Sequence, residues 1–180
     1  MNDSLIMSFD PDGELIVAAY ETVDDLGKIL RVHLAIEAQI DSLITTTSRA
    51  KVDRRTSFWA KMNLLRAIGV PERLCASCEA LNDLRNHFAH NRRATIPNTM
   101  AQSERFLGSV AAFFPGLLEA HGTFANRKLG VNHEITFPEA SQGQRVVIAA
   151  GFLSGVLGDL PKMYEFGHPR QIAVVAGLDL

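Results

Sequence analysis

At 180 residues, with 47% hydrophobic and 21% charged side chains, the chain carries enough apolar material for one core without disulfide or metal staples. That composition excludes the disordered and fibrous classes. The formal net charge of -2 conceals an asymmetry: residues 1–44 hold two basic against nine acidic side chains, residues 45–93 ten against four, and residues 94–180 six against seven. An anionic partner is therefore expected to approach the middle of the chain.

Residues 1–12 are acidic and lack the basic start and apolar run of a secretory signal, so a cytoplasmic location is expected. After the turn signal Asp10-Pro11-Asp12-Gly13, apolar residues recur at Val23, Leu26, Ile29, Leu30, Leu34, Ile36, Ile40, Leu43 and Ile44, a spacing that predicts one long amphipathic helix. Thr45-Thr46-Thr47-Ser48 and the charged run over residues 49–55 read as a loop. Ser57 then suits the start of a second, shorter helix carrying Phe58, Trp59, Met62, Leu65 and Ile68, with both aromatic residues expected in the core.

Gly69 supplies a stop, and Pro71 suits the first turn of a third helix, where its missing N–H costs nothing. Leu74, Cys78, Leu81, Leu84 and Phe88 form one stripe there, and the helix is expected to end between His90 and Arg93. Cys75 and Cys78, the two cysteines of the chain, lack further zinc ligands nearby and read as reduced core thiols.

Ile96-Pro97-Asn98 breaks the pattern, and Asn98 or Thr99 suits the cap of a fourth apolar helix that Pro115 kinks or ends. Residues 122–133 are polar and turn-rich; residues 138–163 read as one extra helix or two short ones. Val174-Val175-Ala176 suits a short strand, with Thr136-Phe137 as its nearest mate. The longest apolar stretch, residues 146–157, is interrupted by Gly151, Ser154 and Gly155 and falls short of the about 20 residues that span a bilayer, so no membrane partner is expected. The expectation is a single all-α domain: an antiparallel helical bundle with a core at residues 15–121 and an extra C-terminal helical segment at residues 122–180.

The chemistry concentrates in Arg85-Asn86-His87-Phe88-Ala89-His90. Asn86 and His90 are four apart and share a helix face, whereas Arg85 and His90 lie about 140° apart around an ideal helix. They converge on one ligand only if the helix loosens after Phe88 or a second copy of the chain brings its own pair alongside, so a homodimer is expected. The residue types suit metal-independent cleavage of RNA. An imidazole moves the 2′-hydroxyl proton or protonates the leaving oxygen, the guanidinium grips the phosphate, and Asn86 orients the imidazole or holds a non-bridging oxygen.

Around this motif, Arg54, Arg55, Arg92 and Arg93 are expected to contact phosphates, with His87 assisting, unless they form only a solvated loop. His33 and Glu37, four apart on the first helix, are expected to support the motif, Glu37 by fixing Arg85 or a histidine. Two structural alternatives stand beside this. Arg85 pairs with Glu37 or Asp83 while His90 caps its helix, or His33, Glu37, His87 and His90 gather a metal. No metal or cofactor is assigned.

The segment Arg85-Asn86-x-x-x-His90, preceded by an aliphatic helix, resembles the R-x(4-6)-H signature of HEPN ribonucleases. The wider string Ser57-Phe58-Trp59-Ala60-Lys61-Met62-Asn63-Leu64-Leu65, then Ile68-Gly69 and Leu84 to Asn91, is similar to the mannitol operon repressor branch of helical proteins. The resemblance implies a HEPN-like helical bundle that dimerises through the motif face. It also implies an endoribonuclease with Arg85, Asn86 and His90 as catalytic residues, of the kind found as a toxin or defence effector with an antitoxin partner. The alternative it implies is a non-enzymatic regulator acting through protein or nucleic-acid contacts.

Overall fold

The computed structural model describes residues 5–8, 13–48, 52–53, 55–91, 93–126 and 130–165. Their order is β1 (Leu5–Ser8), α1 (Gly13–Glu21), α2 (Asp25–Ser48), α3 (Phe58–Ala67), α4 (Glu72–His90), α5 (Met100–Phe113), β2 (His121–Asn126), β3 (Val131–Thr136) and α6 (Gln142–Glu165), with 3-10 turns at Pro97–Thr99, Pro115–Glu119 and Phe137–Glu139. The helical bundle expected from the sequence is what forms. To it is added a small three-stranded sheet, β1 running parallel and β3 antiparallel to the central β2. Arg54, Arg92 and the Val174-Val175-Ala176 segment lie outside the described residues.

Helix α2 is the hub, packing against α1, α3, α4 and α6. Its start is set by Asp24, whose carboxylate accepts from the Gly27 backbone N–H at 3.0 Å, satisfying one of the free donors of a helix N-terminus. The preceding residues 13–21, not assigned to a helix from the sequence, form α1 and bury Ile16, Val17 and Ala19. The far end of α2 also departs from expectation. Thr45-Thr46-Thr47-Ser48 continue the helix, because the Ser48 hydroxyl donates back to the Ile44 carbonyl at 2.6 Å instead of competing for a turn.

Ser57 caps α3 as expected, accepting the Ala60 N–H at 3.2 Å. Gly69, at φ 87°, closes that helix with two reversed bonds, Val70 N–H to the Leu65 carbonyl and Gly69 N–H to the Arg66 carbonyl, each 3.0 Å. Only glycine takes this left-handed conformation without strain, so the chain turns sharply and α4 begins at once. Along α4, Leu74, Cys78, Leu81, Leu84 and Phe88 are buried on one stripe. Cys75 and Cys78 are free and fully buried, and burial pushes the Cys75 thiol up to about 11 and the Cys78 thiol higher, leaving both unreactive.

Where residues 122–133 read from the sequence as polar and turn-rich, the described residues 121–126 and 131–136 instead pair as β2 and β3, and Ile135 and Phe137 enter the core. Residues 142–165 form one helix, α6, which lies along α2 and contributes Val146, Val147, Ile148, Leu153 and Leu157 to the same hydrophobic cluster as the other helices. Two of its glycines lie against α2 side chains, Gly143 against Lys28 and Gly158 against Gln39. None of the described helices is long and apolar enough to cross a membrane. Because α2 is the hub, truncating Ile36, which is 1% exposed, should leave a cavity. Ile36→Ala is expected to lower the unfolding free energy by about 2–5 kcal/mol, measured by urea denaturation.

Candidate functional site

The motif lies on the last two turns of α4, and the helix continues without a break to His90, where Asn91 turns to extended backbone. The loosening after Phe88 that would let Arg85 and His90 meet within one chain does not occur. The two residues face different neighbours. Arg85 looks toward α2, close enough to His33 for its charge to oppose protonation of that ring. His90, exposed, lines an open groove of 520 Å³ between α4 and α5 together with Asn86, His87 and Asn91 from α4 and its end, and Gln102 and Arg105 from α5.

Asn86 bridges these two environments. Its carboxamide oxygen accepts from the Arg85 guanidinium at 2.9 Å while the side chain borders the groove. Arg85 has no carboxylate partner among the described residues. Both acids that the sequence offered are engaged elsewhere, Glu37 with Lys61 at 2.8 Å and Asp83 with Arg105 at 2.8 Å. The buried Arg85 Nε–H finds no acceptor at all. A buried donor left without an acceptor costs about 1–3 kcal/mol.

Lys61, missed by sequence reasoning as a site residue, explains why Glu37 is not available. The residue is 4% exposed, and its ammonium contacts Glu37 at 2.8 Å and Asp41 at 2.7 Å. Burial alone would push this lysine down, but the two carboxylates outweigh it, and its pKa is raised. The signal was present: a lysine at the buried phase of a short apolar helix, which requires acidic partners.

His33 is buried, with Nε2 3.3 Å from the Asn82 carboxamide oxygen, Nδ1 3.8 Å from Glu37 and its ring 5.5 Å from that of Phe58. Burial pushes the imidazole below its ordinary range; Glu37 pulls it up, and Arg85 and Lys61 add to the lowering. His33 and Glu37 are thus brought beside Arg85, Glu37 through His33 and Lys61 and not by holding the arginine. The imagined four-residue metal cluster does not assemble, since no group of three or more His, Cys, Asp or Glu side chains among the described residues is placed to hold a metal ion. Arg55 and Arg93 are exposed.

Trp59 departs from expectation: it is 71% exposed, whereas Phe58 packs against the core. On α2, Leu26, Leu30 and Leu34, four residues apart, are exposed as well and form an uncovered ridge along that helix. Helical periodicity marks such residues as apolar without saying which chain they face.

Compared with known protein families, curated proteins and solved structures, the chain matches none.

The His33 environment gives a pH dependence. With the folded pKa below the ordinary 6.5, the unfolded chain takes the proton first as pH falls, so stability present above 6.5 is lost as pH drops through the folded value. The urea midpoint of the wild type is expected to fall between pH about 7.5 and about 5.5 by more than that of His33→Gln, which removes the titrating ring.

Proposed function

We propose that the protein is a HEPN-type, metal-independent endoribonuclease working as a homodimer. The observation that carries this reading is an arginine without a carboxylate partner, hydrogen-bonded to the motif asparagine and holding an open buried donor, five residues before an exposed histidine on the same helix. A structural arginine in that position would take Glu37 or Asp83. This one is left for an external anion.

Because α4 is regular through His90, a single chain does not aim Arg85 and His90 at one phosphate. A two-fold copy that set its motif helix alongside this one would combine the pairs, and the exposed Leu26, Leu30, Leu34 and Trp59 offer apolar surface for a contact between copies. In that arrangement an imidazole takes the 2′-hydroxyl proton as its oxygen attacks phosphorus. The guanidinium stabilises the extra negative charge of the pentacoordinate state, and a second imidazole protonates the departing 5′-oxygen. The products are a 2′,3′-cyclic phosphate and a 5′-hydroxyl. The basic residues 45–93 supply the field that draws the polyanion. A toxin or defence role in the cytoplasm, with an antitoxin as partner, belongs to this reading through the resemblance alone.

One observation favours a second reading. The uncovered apolar ridge and Trp59 suit a protein-contact surface, as in a regulator resembling the mannitol operon repressor, whether or not any RNA is cut.

Two outcomes are expected. Purified protein cuts single-stranded RNA in EDTA, leaves 2′-deoxy-substituted positions intact, and loses on the order of a hundredfold or more in rate in Arg85→Ala and in His90→Ala. Full activity in both variants would remove the motif as the site, and no cutting by the wild type would favour the regulator. Light scattering should give a dimer for the wild type and a monomer, inactive but folded, for the double variant Leu30→Glu/Leu34→Glu, because two charges cannot be buried unpaired in an apolar contact. A wild-type monomer at micromolar concentration would end the composite-site mechanism.

A further inference from the structure

The nuclease reading needs only a phosphate and a 2′-hydroxyl, yet the groove beside His90 offers more than those groups require. Gln102, on the first turn of α5, is half-buried in that groove and makes no side-chain hydrogen bond to another described residue. Its carboxamide therefore presents one donor and one acceptor side by side, both open. Opposite, on α4, His87 is half-buried along the same groove, and the Asn91 carboxamide accepts the Arg93 backbone N–H at 3.2 Å, which leaves its NH2 group outward. Arg105 and Asp83, joined at 2.8 Å, tie α5 to α4 and set the width of the opening.

We infer that this groove is a base-binding subsite in which Gln102 reads an unpaired adenine next to the phosphate held at the motif. The inference rests on the nuclease reading for the identity of the ligand as RNA. The groove is open to solvent, and its volume, 520 Å³, lies within the roughly 300–1,000 Å³ of small-ligand sites. Single-stranded RNA is recognised by splaying a base out, stacking it on an aromatic ring such as imidazole, and bonding its edge. A glutamine carboxamide matches the paired acceptor and donor of adenine, N7 and N6–H, in a bidentate contact. Uracil and cytosine lack that purine edge. His87 is the stacking surface, and the free NH2 of Asn91 is available to the sugar or to a ring nitrogen.

The test is binding, not cleavage. Fluorescence anisotropy with 2′-O-methyl hexanucleotides of adenine, uracil or cytosine uses probes that cannot be cut through the 2′-oxygen. The wild type is expected to bind the adenine probe more tightly than either pyrimidine probe, on the order of tenfold. Gln102→Ala should abolish that preference by lowering affinity for the adenine probe, on the order of tenfold. His87→Ala should weaken all three probes together, since stacking is tolerant of sequence. Both positions are partly exposed, and far-UV circular dichroism should show both variants folded.

Equal binding of the three probes by the wild type, no binding of any, or an adenine preference that survives Gln102→Ala would each overturn the subsite. The two readings fail separately. Selective binding without cutting of unmodified RNA keeps the subsite and removes the nuclease, whereas cutting whose base preference is the same in wild type and Gln102→Ala keeps the nuclease and removes the subsite.

Discussion

A regular α-helix cannot present residues five apart to the same point, and α4 is regular from Glu72 to His90. Most of what is distinctive about the molecule depends on that constraint. Arg85 is committed to the side of α4 that meets α2, and His90 to the side that meets α5. The intervening Asn86 touches both, through its bond to Arg85 and its place on the groove wall. Any ligand using all three residues must either be long enough to wrap the helix or be shared between two copies of it.

The second constraint is the buried cation of Lys61. An ammonium taken out of water must be surrounded by negative charge, and α2 supplies Glu37 and Asp41 one turn apart to meet it. This clamp docks α3 onto α2 and engages Glu37, the carboxylate beside His33. Charge is thereby partitioned: the acids of the amphipathic α2 are spent internally, and the guanidinium of α4 keeps its charge uncompensated. His33, neutral in its buried site and anchored to Asn82, spaces the two helices without adding a second cation beside Arg85.

Much of the bundle was legible because its signals are local. Ser57 as cap, Gly69 as stop and the stripe from Leu74 to Phe88 each report on neighbouring residues and came out in place, while Pro71 stands one residue before its expected first turn, as the cap of α4. The sheet was not legible because β1 finds its mate in β2, far along the chain, and strand pairing leaves no local trace in six-residue polar segments. Helix α1 was missed because nine residues offer too few turns for a period to emerge. In the site, the motif residues were found by type and spacing, but the fate of Arg85 depended on which acids Lys61 and Arg105 captured from other helices. Gln102 carried no signal at all, since a lone glutamine gains meaning only when α5 sets it across from His90.

The exposure of Trp59 has a practical side. It is the one tryptophan of the chain and it stands largely in water. Its indole emission is therefore that of a solvated ring, undiluted by any other tryptophan, and whatever settles on that edge of α3 must shift the spectrum toward the blue. The protein carries its own optical gauge of contact at α3, readable without a label at concentrations where scattering is blind.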